Sequence, residues 1–173
     1  IEQLQFTGDE SVKDGANKIR LNFNHPVKEL VWVIKGDGTE GFGGDDASFG
    51  DYGRDADDDV LGSDEGAGKD QESCLRAKLL LNGHDRFSER DGSYFRLVQP
   101  YQHHTCVPRK NIYSYSFALK PEEHQPSGTC NFSRIDNATL SVQSAVNGTA
   151  KVFATSYNVL RIMSGMGGLA YSN

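Results

Sequence analysis

Apolar and polar residues alternate with a period of two along most of this chain, and no other feature constrains the fold as strongly. Ile19, Leu21 and Phe23 alternate with polar neighbours, and residues 75–81 and 113–119 repeat the pattern. Successive side chains of a β-strand point to opposite faces, so this alternation predicts strands with one buried face. The predicted strands are 1–7, 17–24, 29–35, 74–81, 94–99, 111–119, 138–146 and 150–162. Eight such strands predict an all-β antiparallel sandwich or jelly roll.

Four local signals refine this prediction. Residues 30–34 are all apolar and 151–162 carries apolar side chains on both faces, which predicts strands packed against another domain or subunit. The polar stretch 84–90 lies between two turn signals and is predicted to form one or two helical turns. Asn147-Gly148 is predicted to be the hairpin turn between the last two strands.

Residues 36–70 differ in composition from the rest of the chain. They contain ten Asp, two Glu, one Arg and one Lys, a net charge of −10, while the remaining residues sum to +4. Ten of the 19 Gly also fall here, and the few apolar residues follow no period. Such a segment cannot bury enough surface to offset its ordering entropy. We therefore predict one domain over 1–173, interrupted by an acidic, Gly/Asp-rich loop at 36–70.

The charge balance and the apolar runs exclude two classes of function. The formal net charge is −6 with neutral His, so the chain lacks the basic surface that grips nucleic-acid phosphates. The longest purely apolar run, 30–34, is far shorter than the roughly 20 residues of a membrane helix. We expect neither direct nucleic-acid binding nor a transmembrane segment.

Three cysteines and three N-glycosylation sequons bear on the cellular compartment in which the protein folds. Cys74, Cys106 and Cys130 are odd in number, which favours a reducing compartment over a disulfide framework. The candidate N-glycosylation acceptors are Asn131, Asn137 and Asn147. Without a visible secretory signal we expect them to be unoccupied unless a parent protein enters the secretory pathway.

The opening Ile-Glu-Gln-Leu lies inside a predicted strand. This predicts that the chain is a fragment of a longer protein.

Two short motifs in the acidic segment fail on their context. The G-x-G-x-x-G match at 36–41 follows a strand but precedes Phe-Gly-Gly-Asp-Asp, which neither forms a helix nor attracts phosphate. Asp55, Asp57 and Asp59 have the spacing that opens a calcium loop, but Val60 and Gly66 occupy the positions that need Gly and Glu. These three aspartates remain weak metal candidates, and a solvated acidic loop is favoured.

His103, His104, Cys106 and His124 are the other candidate metal ligands. Adjacent His residues on an extended chain point to opposite faces, so they cannot bind one ion as an H-x-H pair can. A loop whose side chains bond backbone groups is favoured over a zinc or cupin site. The sequence shows no catalytic nucleophile with a general base placed beside it. Ser164 also lacks the surrounding G-x-S-x-G motif of a hydrolase nucleophile. We predict no metal, no cofactor and no enzyme activity.

Four longer segments resemble the major capsid proteins of nucleocytoplasmic large DNA viruses, which include iridoviruses, phycodnaviruses and mimivirus relatives. The segments are 23–33 (FNHPVKELVWV), 81–87 with 94–104, 115–136 (YSFALKPEEHQPSGTCNFSRID) and 157–170 (YNVLRIMSGMGGLA). They span nearly all of the chain outside 36–70, and the acidic segment is the departure from the family pattern.

The resemblance implies the C-terminal jelly roll of a double jelly-roll capsid protein. Homotrimers of that protein would form pseudo-hexagonal capsomers that contact neighbouring capsomers and minor capsid proteins in an icosahedral shell. The virion would assemble in the host cytoplasm. With the eight strands lettered B to I, the 36–73 connection joins D to E at the same end as the H–I turn. In this family that end faces outward, while connections 82–93 and 120–137 lie at the opposite end.

Two other functions stay open from the residues alone. A receptor- or glycan-binding module would use the acidic loop to hold a cation. A cupin-type metalloenzyme would use the histidines, although it lacks the H-x-H ligand pair. The structural capsid function is favoured over both.

Overall fold

The computed structural model describes residues 1–36, 53–54 and 71–171 of the 173-residue chain. The helical segments in these ranges are short: a π-helical one, Tyr94–Val98, the α-helix α1, Gln99–His103, and a 3-10 turn, Phe132–Arg134. The strands in these ranges are β1 (Glu2–Val12), β2 (Gly15–Arg20), β3 (Pro26–Gly36), β4 (Gly53–Arg54), β5 (Gln71–Glu72), β6 (Cys74–Leu81), β7 (His84–Asp85), β8 (Arg90–Asp91), β9 (Tyr113–Ser116), β10 (Cys130–Asn131), β11 (Ala138–Ser144), β12 (Gly148–Tyr157), β13 (Leu160–Met163) and β14 (Met166–Leu169).

Two antiparallel sheets form the body of the molecule. The first sheet has the order β1-β12-β3, and both β9 and β10 pair with β3. The second has the order β2-β11-β6, and both β7 and β8 pair with β6. This is the jelly-roll arrangement of strands B, I, D and G against C, H, E and the region of F. The predicted all-β jelly-roll fold is confirmed.

The core lies between the two sheets. Every second residue of β12 is buried, as are four of the seven residues of β11, so each strand turns one face to the interior. Trp32 is fully buried, and its ring centroid lies 5.2 Å from that of Phe95 and 5.9 Å from that of Tyr113. Complete burial of each large apolar side chain stabilises the fold by about 1.5–3 kcal/mol. The other large buried side chains are Leu30, Ile34, Leu79, Leu140, Val142 and Val152.

The predicted strand at 94–99 is wrong, because these residues are helical. Phe95 points into the core and Gln99 and Pro100 are buried with it, the spacing of a helix face. Residues 94–99 read YFRLVQ and do not alternate strictly between apolar and polar, so they carried little signal to separate a strand from this helix. The helical turns predicted at 84–90 are also wrong, since β7 and β8 pair there with the edge of β6.

The last predicted strand, 150–162, is two elements. β12 ends at Tyr157, and Leu160–Met163 pairs instead with β14 in a separate hairpin. Asn158 interrupts the strand because its side-chain oxygen accepts a hydrogen bond from the backbone N–H of Val159 at 2.7 Å.

The first strand runs beyond its predicted end at residue 7. It continues through a register shift between Phe6 and Asp9, where Gly8 has a φ of +98°.

Gly148 is not a turn residue as predicted. It is the first residue of β12 and pairs with Gly36, and a Cβ atom there would lie 1.9 Å from the carbonyl oxygen of Lys35. Its lack of a side chain therefore serves the close approach of β12 to β3. The turn itself is formed by residues 145–147.

The connections emerge at the ends that the jelly-roll topology predicts. Gly36 pairs with Gly148, the Ser73 carbonyl accepts the N–H of Ala145, and the side chain of Asn147 accepts the N–H of Asp14. Both ends of the 37–70 connection thus flank the β11–β12 turn, and we call this the insertion end. At the opposite end, Asn82 accepts the N–H groups of Asp136 and Asn137.

Candidate functional site

An apolar row crosses the outer face of the first sheet. The register places Phe6 opposite Phe153, and Phe153 opposite Val31. The Phe6 and Phe153 rings stack with centroids 4.8 Å apart, while Leu4 is 69% exposed and Phe6 47% exposed. Phe153 and Val31 are half-buried beside them, and an exposed apolar patch is a candidate protein contact surface. We call these four residues the apolar row.

A second apolar surface is the hairpin β13–β14. Its turn residues Ser164 and Gly165 both have positive φ, 51° and 80°, as a two-residue type I′ turn requires. All residues from Val159 to Tyr171 are exposed. Since β12 ends at the opposite end of the sandwich, the hairpin begins there.

An ion pair between a buried lysine and a partly exposed glutamate anchors the start of β1 beside the apolar row. The Lys28 ammonium lies 2.6 Å from Glu2 Oε1, and the Lys28 side chain is only 3% exposed. This hydrogen bond lowers the pKa of Glu2 below its ordinary value of 4.5, assisted by His124, whose Nδ1 lies 3.3 Å from the same oxygen. Lys28 also lies 5.4 Å from the centre of the Tyr157 ring. Strands β1, β3 and β12 are thereby tied together at the opposite end.

His104 connects β3 to the connection between β9 and β10. Its Nε2 lies 3.4 Å from Glu29 Oε2, and its Nδ1 lies 3.3 Å from Glu122 Oε1. The backbone N–H of Thr105 donates to both oxygens of Glu122 and is the main reason that the pKa of Glu122 is lowered. The cluster fixes a loop, and sequence reasoning missed it because its partners are distant in sequence.

The structure separates the histidines considered as metal ligands. His103 ends helix α1 and its Nδ1 lies 3.0 Å from the Leu119 carbonyl oxygen, so the assumption of an extended chain at His103 and His104 is wrong for His103. His104 and His124 contact different carboxylates. Within 1–36, 53–54 and 71–171, no three His, Cys, Asp or Glu side chains form a group that could hold a metal ion. Asp55, Asp57 and Asp59 lie outside the described residues.

The three cysteines are free, and Cys74 and Cys130 lack the setting of a nucleophile. Burial raises the pKa of Cys74 to about 12 and also raises that of Cys130. A reactive thiol needs the opposite shift. Cys106 is exposed.

The G-x-G-x-x-G match at 36–41 lies mostly outside the described residues. Of its residues, only Gly36 is described, at the end of β3.

The three sequons lie on exposed asparagines in different places. Asn131 caps the 3-10 turn by accepting the N–H of Ser133, and Ser133 Oγ accepts the N–H of His25. Asn137 lies at the opposite end, and Asn147 at the insertion end, where it accepts the N–H of Asp14. Their occupancy stays a prediction.

Comparison with known proteins gives consistent relatives. The protein-family model described as "Large eukaryotic DNA virus major capsid protein" matches residues 1–168. The major capsid protein of Pyramimonas orientalis virus is 50% identical, over all of this chain and 42% of its own length. The major capsid protein of Phaeocystis pouchetii virus is 43% identical, over all of this chain and 48% of its own length.

Solved structures agree with this. The quasi-atomic model of the PBCV-1 virus capsid matches 99% of this chain and 51% of the solved chain, at a TM-score of 0.79 and 39% identity. The Faustovirus major capsid protein matches at a TM-score of 0.72 and 12% identity, which bears on the fold alone. The chain spans about half the length of the relatives it matches. No helix in the described part of the chain is long and apolar enough to cross a membrane.

Proposed function

Because this chain belongs to the major capsid proteins of large eukaryotic DNA viruses, we propose that it is one jelly roll, the C-terminal one, of a double jelly-roll protein. Homotrimers of the full-length protein would form pseudo-hexagonal capsomers of an icosahedral shell. The capsomers would contact one another laterally and minor capsid proteins beneath, during assembly in the host cytoplasm. The chain is a virion capsid component, and we propose no catalytic role.

The apolar row is the observation that carries this proposal. A solvent-facing sheet of a monomer alternates polar residues outward, but here Leu4, Phe6, Phe153 and Val31 share the outer face of the first sheet. Covering such a row with protein removes apolar area from water, which is the dominant favourable term in association. More than half of each relative's length lies outside the region that this chain matches, which supports a second jelly roll or a neighbouring protomer as the cover.

The connection at 37–70 would project from the outer surface of the shell. Its support is that Gly36 and Ser73 both lie at the insertion end, away from the apolar hairpin. An acidic segment can remain in solvent at this end, because its charged side chains are hydrated and need no packing partner. The alternative function, a receptor- or glycan-binding module with a cation-binding loop, is not supported, because the matched relatives are capsid proteins.

A charge placed in the apolar row tests the proposal. We expect Phe6→Asp in the full-length protein to abolish or strongly reduce oligomers, measured as molar mass by light scattering, because a carboxylate would be buried without a partner. Leu119→Asp is the matched control, since Leu119 is 72% exposed and lies outside the row. Oligomers of unchanged mass from Phe6→Asp would contradict the proposal.

A further inference from the structure

The hairpin β13–β14 is too apolar to be stable when it is exposed to water on all sides. Residues 157–171 contain a single charged residue, Arg161, in a protein in which 24% of residues are charged. The five large apolar side chains of its strands are 46–74% exposed: Leu160, Ile162, Met163, Met166 and Leu169. An isolated two-stranded hairpin is marginally stable at best. The hairpin therefore needs a protein surface that packs against it.

Both faces of the hairpin need covering. Leu160 pairs with Leu169 and Met163 pairs with Met166, and because these pairs are an odd number of residues apart along the strand, they point to opposite faces. Gly167 lies opposite Ile162 and Gly168 opposite Arg161, and no atom lies within 4 Å of a Cβ built on either glycine. The glycines leave room for side chains from a partner surface.

The base of the hairpin is held firmly by Asn158. This residue is only 6% exposed, and its backbone N–H and carbonyl both pair with Ile1 at 2.9 Å. Its side-chain Nδ2 donates to Gln3 Oε1 and to the Tyr171 carbonyl, both at 2.9 Å. The hairpin thus leaves the sandwich from a fixed junction with β1 and is no freely hinged tail.

The same junction identifies what covers the hairpin. Because Ile1 is hydrogen-bonded to Asn158, any residue that precedes Ile1 in a full-length protein starts at the base of the hairpin. This chain covers 48% of the length of each of two relatives, so about half of a full-length protein lies outside the matched region and forms a second body whose place must be found. Because the preceding chain would begin at the hairpin base, attachment to the same polypeptide favours that body over a second copy, which must be recruited from solution.

We propose that the hairpin β13–β14 is an internal clamp, covered on its apolar faces by the part of the full-length polypeptide that precedes Ile1. The clamp would fix the orientation of the two halves of one chain before any contact between protomers forms. This inference rests on the proposed double jelly-roll protein, whose upstream half supplies the cover.

Site-specific photo-crosslinking in the full-length protein tests the clamp. The probe is Ile162→p-benzoylphenylalanine, with Met166→p-benzoylphenylalanine as a second variant on the other face in case the first fails to fold. Leu119→p-benzoylphenylalanine is the matched control at an exposed apolar position outside the hairpin. After irradiation we expect a product of monomer mass on a denaturing gel, with mass spectrometry locating the crosslink to peptides that precede Ile1. The control should give no such crosslink.

Three results would overturn the clamp. A crosslinked dimer would assign the hairpin to a second copy, a crosslink confined to residues 1–171 would leave it without an upstream cover, and no crosslink would leave it in solvent. Electron microscopy of the same preparation for shell-like assemblies tests the proposed function separately. Shell-like assemblies together with dimer crosslinks would support the proposed function and contradict the clamp. Crosslinks to peptides that precede Ile1, without shell-like assemblies, would support the clamp and contradict the proposed function.

Discussion

At the scale of single residues, Lys28 is the least expected feature of the structure. In the sequence it lies between Val27 and Glu29, just before the predicted strand 29–35, where a lysine is expected to be exposed to solvent. In the structure Val27 pairs with Ser156 and Glu29 with Thr155, so Lys28 is the extra residue of a bulge and is buried. Bulges leave no composition signal, and the partner Glu2 lies 26 residues away. Neither could be predicted from the alternation.

The Glu2–Lys28 pair makes a pH-dependent contribution to stability. We expect Glu2→Gln to lower the free energy of unfolding of the full-length protein by about 1–3 kcal/mol at neutral pH, because a buried ammonium loses its charged acceptor. Chemical denaturation measures this. Glu123→Gln is the control, since its partner Lys120 and Glu123 itself are mostly exposed, and it should cost far less.

The sign of the pH effect follows from the lowered pKa of Glu2. A carboxyl with a folded pKa below its unfolded value stabilises the protein fully above the unfolded value, and this contribution is lost as pH falls through the folded value. The difference between wild type and Glu2→Gln should therefore be constant above about pH 4.5 and shrink below it. A difference that grows on acidification would contradict the assignment.

At the scale of elements, the sequence predicted strands well where alternation was long and poorly where it was short. The predicted 74–81 matches β6 and 138–146 contains β11, since both strands have one buried and one exposed face. The prediction for the region of strand F failed because Phe95, Gln99 and Pro100 are buried at helical spacing, and residues 94–99 do not alternate strictly between apolar and polar. The hairpin β13–β14 was hidden because Val159, Leu160 and Ile162 continue the apolar pattern of β12.

Truncations in the helical segment distinguish the helix from the predicted strand. We expect Phe95→Ala to cost about 3–5 kcal/mol of the free energy of unfolding, because it leaves a cavity against the fully buried Trp32. Tyr101→Ala should cost little, since Tyr101 is 82% exposed on α1. Thermal or denaturant unfolding of the full-length protein measures both. A small loss from Phe95→Ala would mean that this segment does not pack as described.

At the scale of the whole molecule, the net charge of −6 averages two different parts. The sandwich with its termini sums to +4 and residues 36–70 to −10, so the acidic character belongs to the insertion. The family resemblance was recognisable from the segments outside 36–70, and it is confirmed over residues 1–168. The apolar row and the hairpin needed the structure, because which residues share a face depends on the pairing of β1 with β12 and of β13 with β14.

The central claim is that the apolar row and the hairpin are covered by protein in a capsid assembly. Cryo-electron microscopy of the assembled full-length protein tests it most directly. We expect threefold capsomers in which Leu4, Phe6 and Phe153 lie in contacts with other polypeptide and in which the insertion end faces outward. A reconstruction in which these three side chains face solvent would contradict it.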